Sequence, residues 1–257
     1  MKYEYYIFDM YGTLADIHTD ERAAATWKKW IKKLDELNIK HPDYIKMRRD
    51  FFDADKNARK ERAFETGSKY PEIDVIKIYE EMLINYGNDK ILSCQQKKDE
   101  LLKTIAYEFR QASRAYIRPF ACDFSSEPCS NVFIGQNIKC PDTIDTMYVL
   151  NYLKNQGGKL FLLSNAQSSY TLPEIKLLGI DEIMDGMLIS SDTGYMKPDR
   201  YFYDILINTY KINPSRAVMF GDSMLSDVEG ARAAGIAAVH TPKGIVNAFV
   251  HWLRQEA

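Results

Sequence analysis

Three polar side chains stand directly after apolar runs of this sequence, or one glycine beyond them: Asp9, Ser164 and Asp222. Lys197 lies in the connection that follows a later run. A carboxylate held beside a lysine and a hydroxyl can act as a nucleophile next to an anion-binding pair. One such residue is weak evidence, because a polar residue after a strand often caps the next helix. The four together indicate chemistry if the fold brings them to one place.

The apolar runs predict a parallel β-sheet. They are short, rich in aromatic and β-branched residues, and continuous rather than alternating, which is typical of strands buried on both faces. The runs cover residues 3–8, 159–163, 187–189, 216–220 and 236–239. Parallel neighbours would bring the polar residues that follow them to the same edge of the sheet.

Helical stretches alternate with these strands. They cover residues 143–156, 170–178, 200–210 and 226–234. Three of them are followed by glycine, the usual stop signal of a helix. The alternation predicts an α/β fold, a doubly wound parallel sheet whose ligands bind at the carboxyl ends of the strands.

Residues 16–116 differ in kind, because charged residues dominate and apolar residues recur at helical spacing. The first such face holds Trp27, Trp30, Ile31, Leu34 and Leu37, and later apolar positions are Ala63, Phe64, Ile76, Tyr79, Met82, Leu83 and the stretch 101–116. We predict an all-helical domain over 16–116, inserted into an α/β core of 1–15 and 117–257. The Pro-, Ser- and Cys-rich stretch 118–141 is predicted to be a long surface loop, and the segments 15–20 and 117–141 are where a hinge is expected.

Composition excludes several classes of function. Lys and Arg number 34 against 36 Asp and Glu, a net charge of -2 that argues against nucleic acid as a partner. No apolar run reaches the ~20 residues of a membrane span, and the start lacks a secretory pattern, so a cytoplasmic protein is expected. The four cysteines, Cys94, Cys122, Cys129 and Cys140, contain no CxxC pair and are expected to be free thiols. Lys28, Lys29, Lys32 and Lys33 are expected to form a solvated helix face.

The ordered motifs resemble a known family. They are Asp9-Met10-Tyr11-Gly12-Thr13-Leu14, Leu162-Leu163-Ser164-Asn165, Lys197-Pro198, and Gly221-Asp222-Ser223-Met224-Leu225-Ser226-Asp227. This set is similar to the four signature motifs of the haloacid dehalogenase-like (HAD) hydrolase superfamily, over residues 1–15 and about 142–241. The resemblance implies a Rossmann-like core and a helical cap inserted after the first motif.

The resemblance also implies roles for single residues. Asp9 would be the nucleophile that forms a covalent aspartyl intermediate. Ser164 and Lys197 would hold the transferring phosphoryl group, and Thr13 and Asn165 would line the same substrate pocket.

A magnesium site is implied in the same way. Asp222 would bind Mg²⁺ together with the Asp9 carboxylate and the backbone carbonyl of Tyr11, and Asp227 would orient the waters of the metal or the lysine. Charge supports this expectation. Clustered carboxylates in a partly desolvated site raise each other's pKa and would protonate the nucleophile without a cation, and Mg²⁺ suits oxygen ligands.

Tyr11 departs from the phosphatase pattern. Most phosphatases of the superfamily carry Asp two residues after the nucleophile as general acid and base, whereas Asp-x-Tyr resembles the 2-haloacid dehalogenase branch, which needs no proton donor. Three alternatives follow: a magnesium-dependent phosphatase of a small phosphorylated metabolite, a 2-haloacid dehalogenase-like hydrolase, and a protein that binds a phosphorylated ligand with little turnover. The carboxylate cluster favours the phosphatase. Since a positioned general acid contributes about 10²- to 10⁴-fold, the expected substrates have good leaving groups.

Overall fold

A central sheet of five parallel strands organises the chain. The computed structural model describes residues 3–123 and 143–256. Its strands are β1 (Tyr5–Phe8), β2 (Ala15–Thr19), β3 (Arg114–Pro119), β4 (Ala121–Asp123), β5 (Thr143–Asp145), β6 (Lys159–Ser164), β7 (Gly186–Ile189), β8 (Ala217–Gly221) and β9 (Ala237–His240). The sheet has the order β7-β6-β1-β8-β9 with every pairing parallel, so the predicted doubly wound α/β fold is confirmed.

Helices cover both faces of the sheet. They are α1 (Ala24–Glu36), α2 (Tyr44–Thr66), α3 (Val75–Asn85), α4 (Gln95–Ser113), α5 (Thr146–Asn155), α6 (Ser168–Leu177), α7 (Ser190–Thr193), α8 (Arg200–Tyr210), α9 (Gly230–Ala233) and α10 (Gly244–Glu256). Tyr6 and Phe8 of β1 pack with α5 and α10 on one face, while Ile7 packs with α8 on the other. Because both faces of β1 are covered, its residues are apolar in a continuous run rather than in alternation.

Helices α1 to α4 pack around a cluster of aromatic rings. Trp27 and Trp30 of α1 are fully buried and lie within 5.5 Å, ring centre to ring centre, of Phe51 or Phe109. Such rings supply most of the buried apolar surface of a small helical core. Tyr170 of α6 joins the same cluster, so α6 contacts both the sheet and the four helices.

Two connections tie the four helices to the sheet. Strands β2 and β3 form an antiparallel ribbon at the entry and exit of the helical segment. The loop before α3 lies on the loops that follow β6 and β7: Gln167 accepts from the backbone N–H of Val75, and Glu72 accepts from Ser190, both through side-chain oxygens. The helical segment therefore sits over the carboxyl ends of the strands.

Several predicted boundaries are wrong. The helix predicted from residue 143 begins at Thr146, because 143–145 form β5 and the Asp145 side chain caps the helix by accepting from the Tyr148 N–H at 2.7 Å. The helix predicted from residue 226 begins as a π-helical stretch, Met224–Glu229, before α9. The C-terminal helix α10 was not predicted.

The predicted loop at 118–141 is wrong at its start. Residues 118–119 belong to β3 and 121–123 to β4, because each pairs with an antiparallel partner. Residues 124–141 of the stretch, with Cys129 and Cys140, lie outside the described residues. Cys94 and Cys122 are both free thiols.

The apolar face predicted in the helical segment also needs a correction. Phe64 is 93% exposed, because α2 extends beyond the aromatic cluster and buries only Met47 and Phe51 fully. Lys28, Lys29, Lys32 and Lys33 are all exposed on α1. None of the described helices combines the length and the apolar character needed to cross a bilayer.

Candidate active site

The order of the central strands brings the strand-end residues together. Ser164 ends β6, Asp9 follows β1 and Asp222 follows β8, and these three strands are neighbours in the sheet. The backbone N–H of Asp9 donates to the carbonyl oxygen of Phe220 at 2.9 Å, which continues the pairing of β1 with β8 past the end of β1. The three side chains therefore stand at one edge of the sheet.

Lys197 reaches the same edge and is 2% exposed. Its Nζ lies 2.8 Å from Oδ1 of Asp9 and 2.7 Å from Oδ1 of Asp227. Asn165 holds the lysine backbone in place, since its amide accepts from the Lys197 N–H at 2.7 Å and donates to the Lys197 carbonyl at 2.8 Å. Asn165 thus uses both ends of its amide on Lys197 while also bordering a cavity described below.

Asp227 is 1% exposed and is fixed by two partners. Besides Lys197, the backbone N–H of Ser223 donates to its Oδ2 at 2.9 Å. Gly221 permits this position, because a Cβ there would lie 2.2 Å from the Cβ of Asp227. Ser223, not Asp222 or Asp227, caps the helical stretch that follows.

Three carboxylates form one acidic cluster. Oxygens of Asp9, Asp222 and Asp227 lie within 4.8 Å of one another, and Asp222 is the most accessible. With all three ionised, one ammonium group leaves two negative charges uncompensated within this set. Oxygen donors with surplus negative charge are what a hard divalent cation such as Mg²⁺ prefers, so the donor set fits such an ion.

The pKa shifts of the cluster follow from burial and from this charge arrangement. Burial raises the pKa of the Asp9 carboxyl, Lys197 opposes that shift, and Asp227 adds to it. Burial and Asp227 also raise the pKa of Asp222. Burial alone would lower the pKa of Lys197, but Asp9 and Asp227 outweigh it and raise the pKa, so the ammonium group keeps its proton.

Gly12 lets the first loop approach the acidic cluster closely. Its φ is +83°, and a Cβ at this position would lie 2.4 Å from Oδ2 of Asp222. Any side chain here would displace that carboxylate, and the left-handed backbone conformation already favours glycine. The loop that carries Tyr11 is thereby held against the acidic cluster.

Ser164 and Thr13 have different surroundings. Ser164 is 1% exposed, and no described residue offers its Oγ a hydrogen-bond partner. A buried hydroxyl without a partner is uncommon and is suited to a ligand oxygen. Thr13 is fully buried, and its Oγ1 lies 3.4 Å from Oγ1 of Thr241. Its side chain is not among those that line the two cavities described below.

The Tyr11 side chain points toward α6. Its hydroxyl donates to Oε2 of Glu174 and lies 3.0 Å from Oγ1 of Thr171. The guanidinium of Arg110 lies 5.2 Å from its ring centre. Burial and the Glu174 charge raise the pKa of Tyr11, which makes its hydroxyl a poorer acid.

Glu174 was missed by the reasoning from sequence. It has no exposed surface and accepts from Nε of Arg110 at 3.0 Å and from Nη1 of Arg114 at 2.7 Å. Arg110 is on α4 and Arg114 begins β3, so this buried ion pair joins the helical segment to α6. The sequence contained one signal that Glu174 is buried. Glu174 stands four positions after Tyr170 and therefore lies on the buried face of α6.

A cavity of about 470 Å³ lies between part of α6 and the helical segment. Tyr11 and Asn165 border it, whereas Asp9, Ser164, Lys197 and Asp222 are not among its lining residues. A second cavity, of about 520 Å³, lies between α4 and α6 and is lined by none of the predicted site residues. The first cavity is the relevant one, because two of the four motifs border it.

The sequence was compared with families of known proteins. A family model described as "Hydrolase: haloacid dehalogenase-like hydrolase" matches residues 3–235. The match covers all four motifs and the helical segment between them.

Two relatives are named as phosphatases. A ribulose-1,5-bisphosphate 5-phosphatase of Halopiger xanaduensis is 30% identical over 38% of this chain and 40% of its own length. A phosphoserine phosphatase of Thermus thermophilus is 30% identical over 36% of this chain and 37% of its own length. The chain therefore matches less than half the length of either relative.

A solved structure of similar fold is a 2-haloacid dehalogenase from Pseudomonas syringae pv. tomato DC3000. Its TM-score is 0.56 at 18% identity, over 97% of this chain and 99% of that chain. At this identity the likeness concerns the fold alone.

Proposed function

This chain belongs to the haloacid dehalogenase-like hydrolases, and from this premise we propose that it is a magnesium-dependent phosphatase of a small phosphorylated metabolite. The observation that carries the proposal is the acidic cluster around Lys197. Two carboxylates, Asp9 and Asp227, bind its ammonium group at 2.8 and 2.7 Å, and Asp222 adds a third. A dehalogenase that works without a metal has no use for the surplus negative charge, whereas a phosphatase needs it to bind a divalent cation.

In the proposed reaction Asp9 attacks phosphorus. A bond forms between its carboxylate oxygen and phosphorus, and the bond to the leaving oxygen breaks, with the electron pair departing on that oxygen. Water then attacks the phosphorus of the aspartyl phosphate, the bond to Asp9 breaks, and the proton of the water leaves with phosphate. This second step regenerates the Asp9 carboxylate.

Other residues support these steps. Lys197 binds a phosphoryl oxygen and holds Asp9 in line, while the unpartnered hydroxyl of Ser164 donates to a second phosphoryl oxygen. Asn165 positions Lys197 through its backbone. Asp9, Asp222 and the backbone carbonyl of Tyr11 would bind Mg²⁺, which supplies positive charge against the phosphoryl oxygens, with Asp227 behind them.

Residues 16–116 are proposed as a cap over a core of 1–15 and 117–257. Their aromatic cluster, which Tyr170 of α6 joins from the core, and the ribbon of β2 and β3 support a unit with its own packing. Their contacts with the loops after β6 and β7 place them where a cap must exclude water from the aspartyl phosphate.

The proposal is tested with a set of small phosphate esters, with Mg²⁺ and with chelator. Asp9→Asn should lower phosphate release at least 10³-fold, since a nucleophile is lost. Asp16→Asn is the matched control, because Asp16 is an acid of the β2–β3 ribbon that pairs with Arg118. Full activity of Asp9→Asn would exclude the mechanism.

The same assays distinguish the alternatives. The specific observation in favour of dehalogenation is Tyr11, since halide needs no proton to depart. Halide release from a 2-halo acid that continues in chelator would establish that function instead. Tight reversible binding of phosphate esters, without phosphate release or labelling of Asp9, would establish a binding protein.

Leaving-group dependence tests the role of Tyr11. Without a general acid, kcat/KM for an aryl phosphate should exceed that for an alkyl phosphate. The ratio should be larger than the difference in affinity between the two esters accounts for. Tyr11→Asp should narrow this ratio by raising kcat/KM for the alkyl ester. An unchanged ratio would show that protonation of the leaving oxygen does not limit this enzyme.

A further inference from the structure

The cavity beside Tyr11 and Asn165 is placed to receive the leaving group. Tyr11 lies two residues after Asp9, and Asn165 directly follows Ser164. The neighbours of Asp9 and Ser164 in the chain thus border this cavity, of about 470 Å³, although Asp9 and Ser164 do not line it. That volume is in the range of small-molecule sites.

The cavity walls are suited to an aromatic ring. Four of the lining residues, Tyr11, Phe51, Phe52 and Tyr170, carry rings of their own. Aromatic rings pack favourably in offset or edge-to-face arrangements, and these residues come from the first loop, α2 and α6, so they surround the space from different sides.

Most charges in the lining are already paired. Arg59 lies 3.2 Å from Asp55, and Arg110 binds Glu174 at 3.0 Å. These two cations have their donors directed at carboxylates of the protein. They add polarity to the wall without offering a free charge to a ligand.

Arg22 is different. Its guanidinium lies 4.8 Å from the ring centre of Phe52, and within the described part of the chain no carboxylate oxygen lies within 4 Å of it. Arg22 is exposed at the rim, and among the described residues its charge acts on Glu21, since burial raises the pKa of the Glu21 carboxyl and Arg22 helps to oppose that rise. The planar guanidinium of an arginine carries a fork of donors that suits bidentate binding of a carboxylate.

We propose that the cavity takes an aryl phosphate whose ring carries a carboxylate, with the ring among the four aromatic residues and the carboxylate on Arg22. This inference rests on the proposed phosphatase function and names its substrate class. It also accounts for Tyr11: Asp9 attacks phosphorus, the bond from phosphorus to the aryl oxygen breaks, and the electron pair leaves on a phenolate that needs no proton from the enzyme.

The test compares two esters with Mg²⁺ present, 4-carboxyphenyl phosphate and 4-carbamoylphenyl phosphate. They share size and shape and differ in charge. The carbamoyl group withdraws electrons more strongly, so leaving-group chemistry alone favours the neutral ester. We expect kcat/KM to favour the carboxylate instead, by about 10- to 100-fold, as a charge-assisted hydrogen-bonded pair provides.

Variants locate the source of the preference. Arg22→Gln should bring the ratio of the two kcat/KM values close to or below one, and Arg22→Lys should retain part of it. Lys28→Gln is the matched control, since it removes a positive charge from exposed α1 outside the cavity and should keep the full ratio.

The outcomes separate this inference from the proposed function. Hydrolysis of both esters with a ratio near one, or a ratio that survives Arg22→Gln, would overturn the inference and leave the phosphatase standing. Hydrolysis of neither ester or any other phosphate would overturn the phosphatase. Calorimetric titration of 4-carboxyphenyl phosphate into Asp9→Asn, with and without Arg22→Gln, measures the affinity for this ester in the absence of turnover. Arg22→Gln should weaken binding, and equal affinities of the two variants would overturn the inference.

Discussion

The hydroxyl of Tyr11 donates a hydrogen bond to Glu174, a carboxylate with no exposed surface. Arg110 and Arg114 bind the same carboxylate, so one buried anion connects the loop after Asp9 to α4 and β3. At the position where most phosphatases of the family have a catalytic acid, this chain has Tyr11, whose hydroxyl is used in a hydrogen bond to a buried carboxylate.

Tyr11→Phe is therefore expected to affect stability more than catalysis. Removing a hydrogen bond to a buried carboxylate should lower the free energy of unfolding by about 1.5–3 kcal/mol. The kcat/KM for an aryl phosphate should change by less than about ten-fold, below the contribution of a general acid. Urea unfolding and initial rates measure the two effects.

Tyr86→Phe is the control for that substitution. It removes a tyrosine hydroxyl that donates to Asp50 at 2.8 Å in a less buried place. Its stability loss should be smaller, with activity unchanged. A 10²-fold activity loss confined to Tyr11→Phe would show instead that the Tyr11 hydroxyl takes part in proton transfer.

Hydrolysis of the aspartyl phosphate should be the slow step with a good leaving group. The departing phenolate needs no proton, but the attacking water has no general base at position 11. Rapid mixing with excess aryl phosphate should therefore give a burst of about one phenolate per enzyme, followed by slow release. Strictly linear phenolate release from the first turnover would contradict this order of rates.

Ser164→Ala should separate activity from stability. The hydroxyl has no partner among the described residues, so its removal should leave the free energy of unfolding within about 0.5 kcal/mol of the parent or raise it. Loss of a donor to the phosphoryl oxygens should lower kcat/KM about 10²-fold. Ser169→Ala, which removes another unpartnered buried Oγ, should leave kcat/KM unchanged.

Gly12→Ala should lose metal binding, while Gly157→Ala should not. The two glycines have φ values of +83° and +84°, so each substitution should lose about 1–2 kcal/mol of stability through the backbone. Only at position 12 does the new Cβ meet Asp222; around Gly157 there is open space within 4 Å. Titration with Mg²⁺ distinguishes them, and equal affinities would show that the close approach is unimportant.

Stabilisation by Mg²⁺ should grow with pH. Asp9 and Asp222 have pKa values raised in the fold by burial first, so the folded protein without a cation holds more protons than the unfolded chain. Their contribution to stability is present below the unfolded pKa, about 3.9, and is lost as pH rises through the folded pKa. A bound cation replaces those protons, so the rise in Tm with saturating Mg²⁺ should be larger at about pH 8 than at about pH 5. Equal shifts would contradict this.

The sheet and the acidic cluster could be predicted because their signals are local. Each buried strand is a continuous apolar run, and Asp9, Ser164 and Asp222 stand at strand ends that a parallel sheet must bring together. Lys197 could be placed at the same edge from its position after β7, although its contact with Asp9 also depends on Asn165, 32 positions away in the chain. Asp227 required the family resemblance.

The Tyr11–Glu174 contact could not be predicted in this way. It joins residues 163 positions apart, and Glu174 alone looks like an ordinary helix residue. The β2–β3 ribbon was missed for a similar reason: His18 and Arg118 have the composition of exposed segments, and only their pairing partner makes them strands. Phe64 was predicted to lie on the apolar face but is exposed. Periodicity indicates which residues share a helix face, but it does not show whether another element covers that face.

The central position of β1 determines the order in which the fold can be assembled during synthesis. Tyr5 pairs with Lys159 and Ala217, whereas the buried members of the helical segment's aromatic cluster other than Tyr170 all lie at or before Phe109. At about 5–20 residues per second on the ribosome, β1 waits on the order of 10–30 s for its first neighbour. The strand that positions Asp9 is thus made before its partners and can pair only after α1 to α4 have been synthesised, and in that interval its apolar edge is open to association with other nascent chains.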